Sequence, residues 1–412
     1  MNQNHANFQE RLDFIRNLLR ERFGANEARI DPIQYDPESL FKYNNFVYRI
    51  ALPLPPSATR NDSSHGTRQP GTSPLPEGTK EFIMRLTNPD AEGMHAHTRV
   101  ENEVAIISLT AAALSRFKPH VVPSVYGWGS AAPPSSQGWI LRELMPGPSM
   151  AGILKALQDF QLPSSIEQYG GVTFDSDGQI VSTTMTSVGS GPWLLYEDYF
   201  GDRLERALQQ ADSNPYIKGW HANGMRKRLE AFVESGVPVQ LKAIESRDNK
   251  AIVHADSTPD NLLYDASTQR ITALIDYDFA CILHPSYELL RSFSGAGGQS
   301  KGWSDIESSE QTALRDAKLH GFPSTLPKNT EDGVKWDVAK VWEDELERLD
   351  VQRPRTIKGI EKVADVDAVL RSILPWRVTN SDVLRLQSEA VILKCRDENE
   401  AQLVKLLDHL GF

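Results

Sequence analysis

The periodicity of apolar residues changes once along the chain, near residue 149, and this change limits the folds that the chain can adopt. Before it, short apolar segments of strand type, the first two forming a predicted pair at residues 39–54, surround one helical segment in the order β-β-β-α-β-β. After it, helical periodicity dominates, apart from an irregular segment at residues 169–193 and strands near residues 252–280. Strands followed by helices, rather than alternating with them, predict an α+β fold. We expect a small β-rich lobe at residues 40–147 and a larger, mainly helical lobe at 148–412.

Two other segments stand apart from these lobes. Residues 1–39 begin with the pattern of an amphipathic helix and form an N-terminal helical segment. Residues 53–79, inside the first lobe, are rich in Pro, Ser, Gly and Thr. Such a composition buries too little apolar surface to offset the entropy of ordering the backbone. We therefore predict a flexible loop between two strands.

The composition excludes several classes of partner. The net charge of -11 disfavours nucleic acid, which a basic surface would bind. An acidic protein can attract amine-bearing small molecules, but solubility alone also explains the charge, and both interpretations stay open. No apolar run approaches the roughly 18 residues that cross a bilayer, so no membrane partner is expected. Two cysteines and an N-terminus without a signal-peptide core predict buried thiols and a cytoplasmic location. The oligomeric state is not indicated.

The segment IVHADSTPDNLLY sets three polar residues, His254, Asp256 and Asn261, between two apolar runs. A polar turn between strands is one interpretation. The other depends on the next segment, where NLLYD and RITAL form a predicted hairpin joined by ASTQ. A hairpin brings its ends together, so Asn261 and Asp276 can share a site. Their oxygens are of the kind that Mg²⁺ prefers, with ATP phosphates completing the shell, and Asp256 could accept a hydroxyl proton.

HADSTPDN followed by IDYDFA resembles the catalytic loop and metal-binding motif of the aminoglycoside phosphotransferase and choline kinase-like family, which shares the protein-kinase fold. Segments such as NFVYRIAL, EFIMRLTNP and GWILRELMPG most resemble divergent fungal members. The resemblance covers most of the chain. It implies a protein-kinase-like two-lobe fold, ATP and Mg²⁺ as cofactors, and a small hydroxyl-bearing acceptor.

The resemblance assigns the following roles in the second lobe. Asp256 would be the catalytic aspartate, and His254 would orient its loop, although a purely structural histidine is the alternative. Asn261 and Asp276 would be the Mg²⁺ ligands. Asp278 would be a further carboxylate, either behind these ligands or on a second metal. The family usually has Gly at the position of Ala255, and we expect an ordinary backbone conformation there.

The first lobe would hold the nucleotide. Arg85 stands where protein kinases have a lysine, and its predicted partner Glu103 borders the apolar stripe of the helix. A surface arginine and a solvated glutamate are the alternative for this pair. The loop KYNNFVYRI would cover the nucleotide without glycine, its turn resting on residues such as Asn45. Backbone near Leu144 and Met145 would meet the adenine edge.

These predictions together indicate a kinase that transfers the ATP γ-phosphoryl group to a small hydroxyl-bearing molecule. The segment after Asp276 is too short to dock a peptide. The rival is a pseudokinase that binds nucleotide or a partner, favoured by Arg85 and the glycine-free loop. The presence of Asp256, Asn261 and Asp276 counts against it. A hydrolase with His254 as base has no Ser or Cys nucleophile motif to support it.

Overall fold

The structure is a computed structural model. It describes residues 3–25, 27–33, 41–53, 68–117, 120–132, 136–143, 150–265, 270–294, 297–327 and 333–412. The chain divides into two compact units, and each is described by itself. The first contains residues 1–148, 172–189 and 263–278, and the second contains 149–171, 190–262 and 279–412. The two units correspond to a small β-rich lobe and a larger helical lobe, so the predicted α+β class is confirmed.

The described residues contain eleven strands, most of them short. In chain order they are β1 Arg29–Pro32, β2 Asn45–Ala51, β3 Glu81–Thr87, β4 Val125–Gly129, β5 Trp139–Arg142, β6 Gly171–Phe174, β7 Ile180–Thr183, β8 Ala251–Val253, β9 Leu262–Asp265, β10 Arg270–Leu274 and β11 Cys281–Leu283.

Thirteen α-helices are described, and most of them belong to the second unit. They are α1 Phe8–Phe23, α2 Ala96–Ala113, α3 Met150–Asp159, α4 Tyr196–Ser213, α5 Met225–Ala231, α6 Val237–Leu241, α7 Ser286–Arg291, α8 Ser309–His320, α9 Trp336–Arg348, α10 Ile360–Ile373, α11 Trp376–Thr379, α12 Ser381–Leu386 and α13 Glu389–Leu410.

The first unit is built on a five-stranded antiparallel sheet in the order β1-β2-β3-β5-β4. Side chains alternate between the two faces of each strand, so Met84 in β3 faces one way and Arg85 the other. On the Met84 face, the sheet packs against α1, whose Ile15 and Leu19 are almost fully buried with Tyr48 of β2. The amphipathic N-terminal helix is therefore part of the first unit.

The strands differ in two places from the sequence prediction. Residues 39–54 were expected to form a strand pair, but the described part contains only β2, and its partner β1 lies earlier in the chain. Residues 169–193 were expected to be irregular, yet β6 and β7 pair within them. The predicted division at residue 148 also differs, because residues 172–189 and the β9–β10 segment return to the first unit.

The described part of the segment predicted as a flexible loop is held against the sheet. The Ser73 backbone N–H donates to the Val125 carbonyl over 2.7 Å. Gln69 donates to the Trp128 carbonyl over 3.0 Å, and the Trp128 indole donates to the Pro70 carbonyl over 2.9 Å. These hydrogen bonds attach the described part of the segment, residues 68–79, to β4, the strand at the edge of the sheet. Residues 54–67 lie outside the described residues.

In the second unit, two short strands bring the chain to the predicted catalytic loop and away from it. β8 pairs antiparallel with β11, with Val253 opposite Cys281. Residue 254 follows β8 directly, and α7 begins three residues after β11. The predicted β9–β10 pairing is present, while its connection, residues 266–269, lies outside the described residues. The antiparallel register sets the end of β11, from which the chain enters α7, opposite the start of β8.

Both cysteines, Cys281 and Cys395, are buried free thiols, as predicted. Burial raises the pKa of the Cys281 thiol well above its ordinary value. No helix among the described residues is long and apolar enough to span a bilayer.

His284 connects β11 to α7 and is fully buried. Its Nδ1 accepts from the Ser286 backbone N–H over 3.1 Å, which leaves Nε2 to carry the proton and face the Ser246 hydroxyl at 3.2 Å. The ring also stacks on Tyr196, with 5.2 Å between ring centroids. Burial lowers the pKa of His284 to about 4, so the imidazole is neutral in the folded protein.

This buried histidine predicts a pH dependence of stability. Between about pH 6.5 and 4 the unfolded chain binds a proton at His284 that the folded protein excludes, so stability falls as pH falls through that window. The total loss is about 3 kcal/mol. We expect urea unfolding of His284→Gln to depend less on pH between 7 and 5 than that of wild type. His320→Gln, at an exposed position on α8, is the matched control and should keep the wild-type slope. Equal slopes for all three proteins would contradict the assignment.

Candidate active site

The loop after β8 brings Asp256 and Asn261 together, as the sequence predicted. The Asn261 side-chain amide donates to both the carbonyl oxygen and the carboxylate Oδ2 of Asp256, each over 2.9 Å. A 3₁₀ turn at Pro259–Asn261 positions the amide. Because its nitrogen is engaged, the Asn261 amide oxygen is the atom that faces away from Asp256 and can serve as a ligand.

Glu288, on α7, holds the start of this loop and was missed by the sequence analysis. Its Oε2 accepts from the backbone N–H of His254 over 2.6 Å and of Ala255 over 3.3 Å. Its Oε1 accepts from the Ser257 hydroxyl over 3.0 Å and from the Ser292 hydroxyl. A carboxylate that is only 2% exposed is stable because four donors replace its water. An acidic residue within the buried YELL run was the available signal.

The backbone at Ala255 differs from the expectation. Its φ is +62°, in the left-handed region, where the sequence analysis expected an ordinary conformation. This conformation costs a non-glycine residue about 1–2 kcal/mol. The successive backbone N–H groups of His254 and Ala255 converge on one Glu288 oxygen, and this pair of hydrogen bonds offsets the cost. The imidazole of His254 is buried beside them, and its orienting role stays a prediction.

In the first unit, a cluster of charged side chains is buried between β3 and α2. Arg85 forms ion pairs with Glu103, as predicted, and with Asp278, which was not predicted. Their exposed side-chain fractions are 2%, 1% and 0%, so neither the surface arginine nor the solvated glutamate is present. Arg142 of β5 lies 3.9 Å from Glu103, measured from Nη1 to Oε1. Burial lowers the pKa of Arg85 and Arg142, and the nearby carboxylates oppose this effect.

Asp278 was predicted to lie either behind the Mg²⁺ ligands or on a second metal, and the structure surrounds it with donors. Its Oδ2 accepts from Arg99 Nη2 and from the Asn45 amide, both over 2.7 Å. Its Oδ1 accepts from Arg85 and, over 3.2 Å, from Arg99 Nε. Burial would raise the pKa of Asp278, but Arg85 and Arg99 hold it well below its usual range. Asp278 is thus the anion of the arginine cluster.

Asn45 and Arg99 are the other members of this cluster that contact Asp278. Asn45 was predicted to support a turn over the nucleotide; instead its buried side chain bridges Asp278 and Arg99, and its φ is not positive. Arg99 was missed altogether. It lies one helical turn before Glu103 and is 2% exposed, within the apolar stripe of α2. Its position four residues from Glu103 was the signal that could have identified it.

Of the remaining predicted residues, the structure describes only Asp276. Asp276 follows β10 in the first unit with φ +62°, and its charge acts on Arg85 and Arg142. It is partly exposed, unlike Asp278. Leu144 and Met145, predicted at the adenine edge, lie outside the described residues.

Asn261 in the second unit and Asp276 in the first each have the donor chemistry that Mg²⁺ prefers, because an amide oxygen and a partly exposed carboxylate oxygen are hard ligands. Among the described residues, no group of three or more His, Cys, Asp or Glu side chains forms a metal site by itself. A Mg²⁺ ion bound by either residue would therefore need further oxygens, and nucleotide phosphates are of the appropriate type.

The arginine cluster predicts a large loss of stability when its anion is neutralised. Asp278→Asn leaves Arg85 and Arg99 buried with one carboxylate fewer, and removing one partner of a buried ion pair costs about 3–5 kcal/mol. Asp408→Asn is the control, because Asp408 is 63% exposed and pairs with Arg228 on the surface. We expect it to cost less than about 1 kcal/mol. Equal unfolding midpoints for the two variants would exclude the proposed role of Asp278.

The four donors on Glu288 make a second prediction. In Glu288→Gln, one oxygen becomes an NH₂ group that faces donors, so two hydrogen bonds to a carboxylate are lost. Each is worth about 1.5–3 kcal/mol, and we expect the free energy of unfolding to fall by at least about 2 kcal/mol. Glu205→Gln, exposed on α4, should be nearly neutral. Chemical denaturation measures both, and a neutral Glu288→Gln would contradict the anchoring role.

Comparisons with known proteins agree with these motifs. The family model of the phosphotransferase enzyme family (APH) matches residues 75–331, more than half of the chain. Among solved structures, aminoglycoside phosphotransferase APH(4)-Ia is 12% identical, with 97% of this chain and 99% of that chain covered and a TM-score of 0.45. An ethanolamine kinase from Plasmodium vivax is 12% identical, with 97% and 88% covered and a TM-score of 0.44.

A comparison with curated protein sequences finds no match. Assignment therefore depends on the family model, whose matched region contains β3, α2, the loop after β8, and α7. The resemblance inferred from HADSTPDN and IDYDFA is confirmed, while the likeness to fungal members stays a prediction. The chain belongs to the APH phosphotransferase enzyme family.

Proposed function

We propose that this protein is an ATP- and Mg²⁺-dependent kinase that phosphorylates a hydroxyl group of a small molecule. The observation that carries the proposal is the geometry of the loop after β8. There the Asp256 carboxylate receives a hydrogen bond from Asn261 on one oxygen, and Glu288 anchors the backbone two residues earlier. A carboxylate that is partly exposed and held in one orientation is suited to accept a proton from a bound hydroxyl.

In the proposed reaction, the acceptor oxygen forms a bond to the γ-phosphorus of ATP as the bond from that phosphorus to the β,γ-bridging oxygen breaks. ADP leaves with the electron pair of the broken bond, and the hydroxyl proton passes to Asp256. Mg²⁺, when bound by Asn261 and Asp276, would neutralise charge on the phosphates. Holding Asp256 in position by Asn261 and Glu288 contributes orientation rather than covalent chemistry.

The arginine cluster supports the nucleotide side of the proposal in a modified form. Arg85 is 2% exposed and lies between Glu103 and Asp278, so contact with a phosphate requires it to exchange one carboxylate partner. We propose that Asp278 and Glu103 hold the guanidinium until the nucleotide binds. A pseudokinase would enclose this arginine in the same way. A measurement of phosphoryl transfer distinguishes a pseudokinase from a kinase.

Two substitutions test this function. We expect Asp256→Asn to retain Mg²⁺-dependent ATP binding and to lower ADP release by a factor of about 10² to 10⁴, the usual contribution of a general base. We expect Asp276→Asn to lose the Mg²⁺-dependent part of ATP binding. Binding is measured as stabilisation against heat, about 2.7 kcal/mol when ATP is at about 100 times its dissociation constant.

Asp260→Asn is the matched control, because Asp260 is an exposed carboxylate on the same loop. It should keep both ATP binding and ADP release. If Asp256→Asn also loses ATP binding, its role is not that of a base. If wild type binds MgATP but releases no ADP with any acceptor or with water, the pseudokinase replaces the kinase.

A further inference from the structure

The second unit contains a cavity of about 580 Å³ that the roles above do not use. Its walls come from the segment after α7, from α8, from the three residues before α9, and from the first residues of α10. Cavities of about 300–1,000 Å³ are typical of small-molecule sites. The cavity is therefore large enough for a metabolite of modest size.

The cavity and the catalytic loop are held by the same helix, α7. Glu288, in the middle of the helix, binds the loop as described above. The next two residues bind the segment that leads to the cavity: the Leu289 carbonyl accepts from the Ser300 backbone N–H over 2.7 Å, and the Leu290 carbonyl accepts from the Gln299 side chain over 2.9 Å. The Phe293 N–H also donates to the Ser257 carbonyl over 3.3 Å, one residue before the cavity wall begins at Ser294. The cavity wall thus begins beside the loop that carries Asp256.

The charge of the cavity is opposite to that of the protein. Its described lining has four basic residues against two acidic ones, whereas the whole chain has a net charge of -11. Glu307 is paired with Arg315 over 3.2 Å. Within the described residues, no ion pair is formed by the other three basic side chains, Lys301, Lys318 and Lys335. Glu361 is the one other described acidic side chain in the lining.

Lys318 is the best placed of these lysines. Its ammonium donates to the Gln299 carbonyl over 2.9 Å, which ties it to the segment that α7 holds. Burial and the charge of Lys301 lower the pKa of Lys318 to about 8, against the opposing charges of Glu307 and Glu343. The ammonium is therefore still mostly protonated at neutral pH. A partly buried cation gains more from a bound anion than a solvated one does.

We propose that this cavity binds the acceptor as an anion, a small hydroxyl compound carrying a carboxylate or phosphate group that Lys318 binds, with Lys301 and Lys335 nearby. The inference rests on the proposed function, which names the hydroxyl but not the rest of the molecule. It replaces the amine-bearing acceptor that the overall acidity had left open, because the local charge of the cavity decides which ion enters it.

Direct binding tests the cavity without any phosphoryl transfer. Succinate and methyl phosphate are titrated calorimetrically into wild type, Lys318→Met and Lys394→Met at constant ionic strength. Methionine keeps the length and apolar stem of lysine, and Lys394 is a control whose side chain is 76% exposed on α13. We expect wild type to bind at least one probe, Lys318→Met to bind it at least tenfold more weakly, and Lys394→Met to match wild type. The stronger probe indicates whether carboxylate or phosphate is the recognised group.

Equal affinity of wild type and Lys318→Met for the probes overturns the proposal, and so does the absence of binding to wild type. Lys301→Met provides a second variant at an exposed position, should Lys318→Met fail to fold. We expect it to weaken the same probe by a smaller factor. An unchanged affinity would overturn the proposal in that case.

Turnover then separates this inference from the proposed function. Glycerate and glycerol share hydroxyl groups and differ in the carboxylate, and ethanolamine supplies the cationic alternative. We expect glycerate to stimulate ADP release more than the other two, and Lys318→Met to raise its KM with little change in kcat. Stimulation by ethanolamine or glycerol alone, unchanged in Lys318→Met, leaves the kinase intact and removes the anionic acceptor. If wild type does not bind MgATP, the proposed kinase function is contradicted, whereas the calorimetric test of the cavity is unaffected.

Discussion

The conformation of the loop after β8, which carries the proposed base, depends on the buried carboxylate of Glu288. This carboxylate accepts from two successive backbone N–H groups and two hydroxyls, so the chain around Ala255 is held in a conformation that it would otherwise avoid. The same helix fixes the wall of the neighbouring cavity through its last carbonyl groups. One short helix thus relates the proposed base to the proposed acceptor site, because a carboxylate at its centre and carbonyls at its end bind different segments.

The protein satisfies two of its buried carboxylates, Glu288 and Asp278, in contrasting ways. Glu288 is surrounded by neutral donors, whereas Asp278 is surrounded by the guanidinium groups of Arg85 and Arg99. Neutral donors hold the backbone in one conformation, and a loop that carries a reacting side chain requires such a fixed geometry. Separating a buried charge from its charged partner is instead costly, so the arginine cluster holds β3, α2 and the end of β10 together as one rigid group. The proposed binding of nucleotide by the first unit would act on that group.

Sequence reasoning succeeded where local pattern and chemistry coincide. The α1 helix and the β9–β10 pairing follow from periodicity, and the short spacing of Asp256 and Asn261 places them on one loop. The Arg85–Glu103 pair is the one that the family resemblance implied. Sequence reasoning failed where a residue distant in the chain determines the backbone conformation or the contacts. Ala255 adopts left-handed geometry because of Glu288, more than thirty residues later, and Asp278 is enclosed by arginines almost two hundred residues earlier.

The sequence by itself therefore determined the family, the α+β class with its β-rich and helical lobes, and the candidate residues for holding a proton or a metal. Those properties depend on residue type and near-neighbour spacing, which a single chain displays directly. Only the tertiary structure decided which of two adjacent carboxylates is enclosed, which backbone conformation is stabilised, and that a net acidic chain encloses a basic cavity. These depend on burial and on long-range pairing, since a charge acts through its surroundings in the folded protein rather than through its neighbours in the chain.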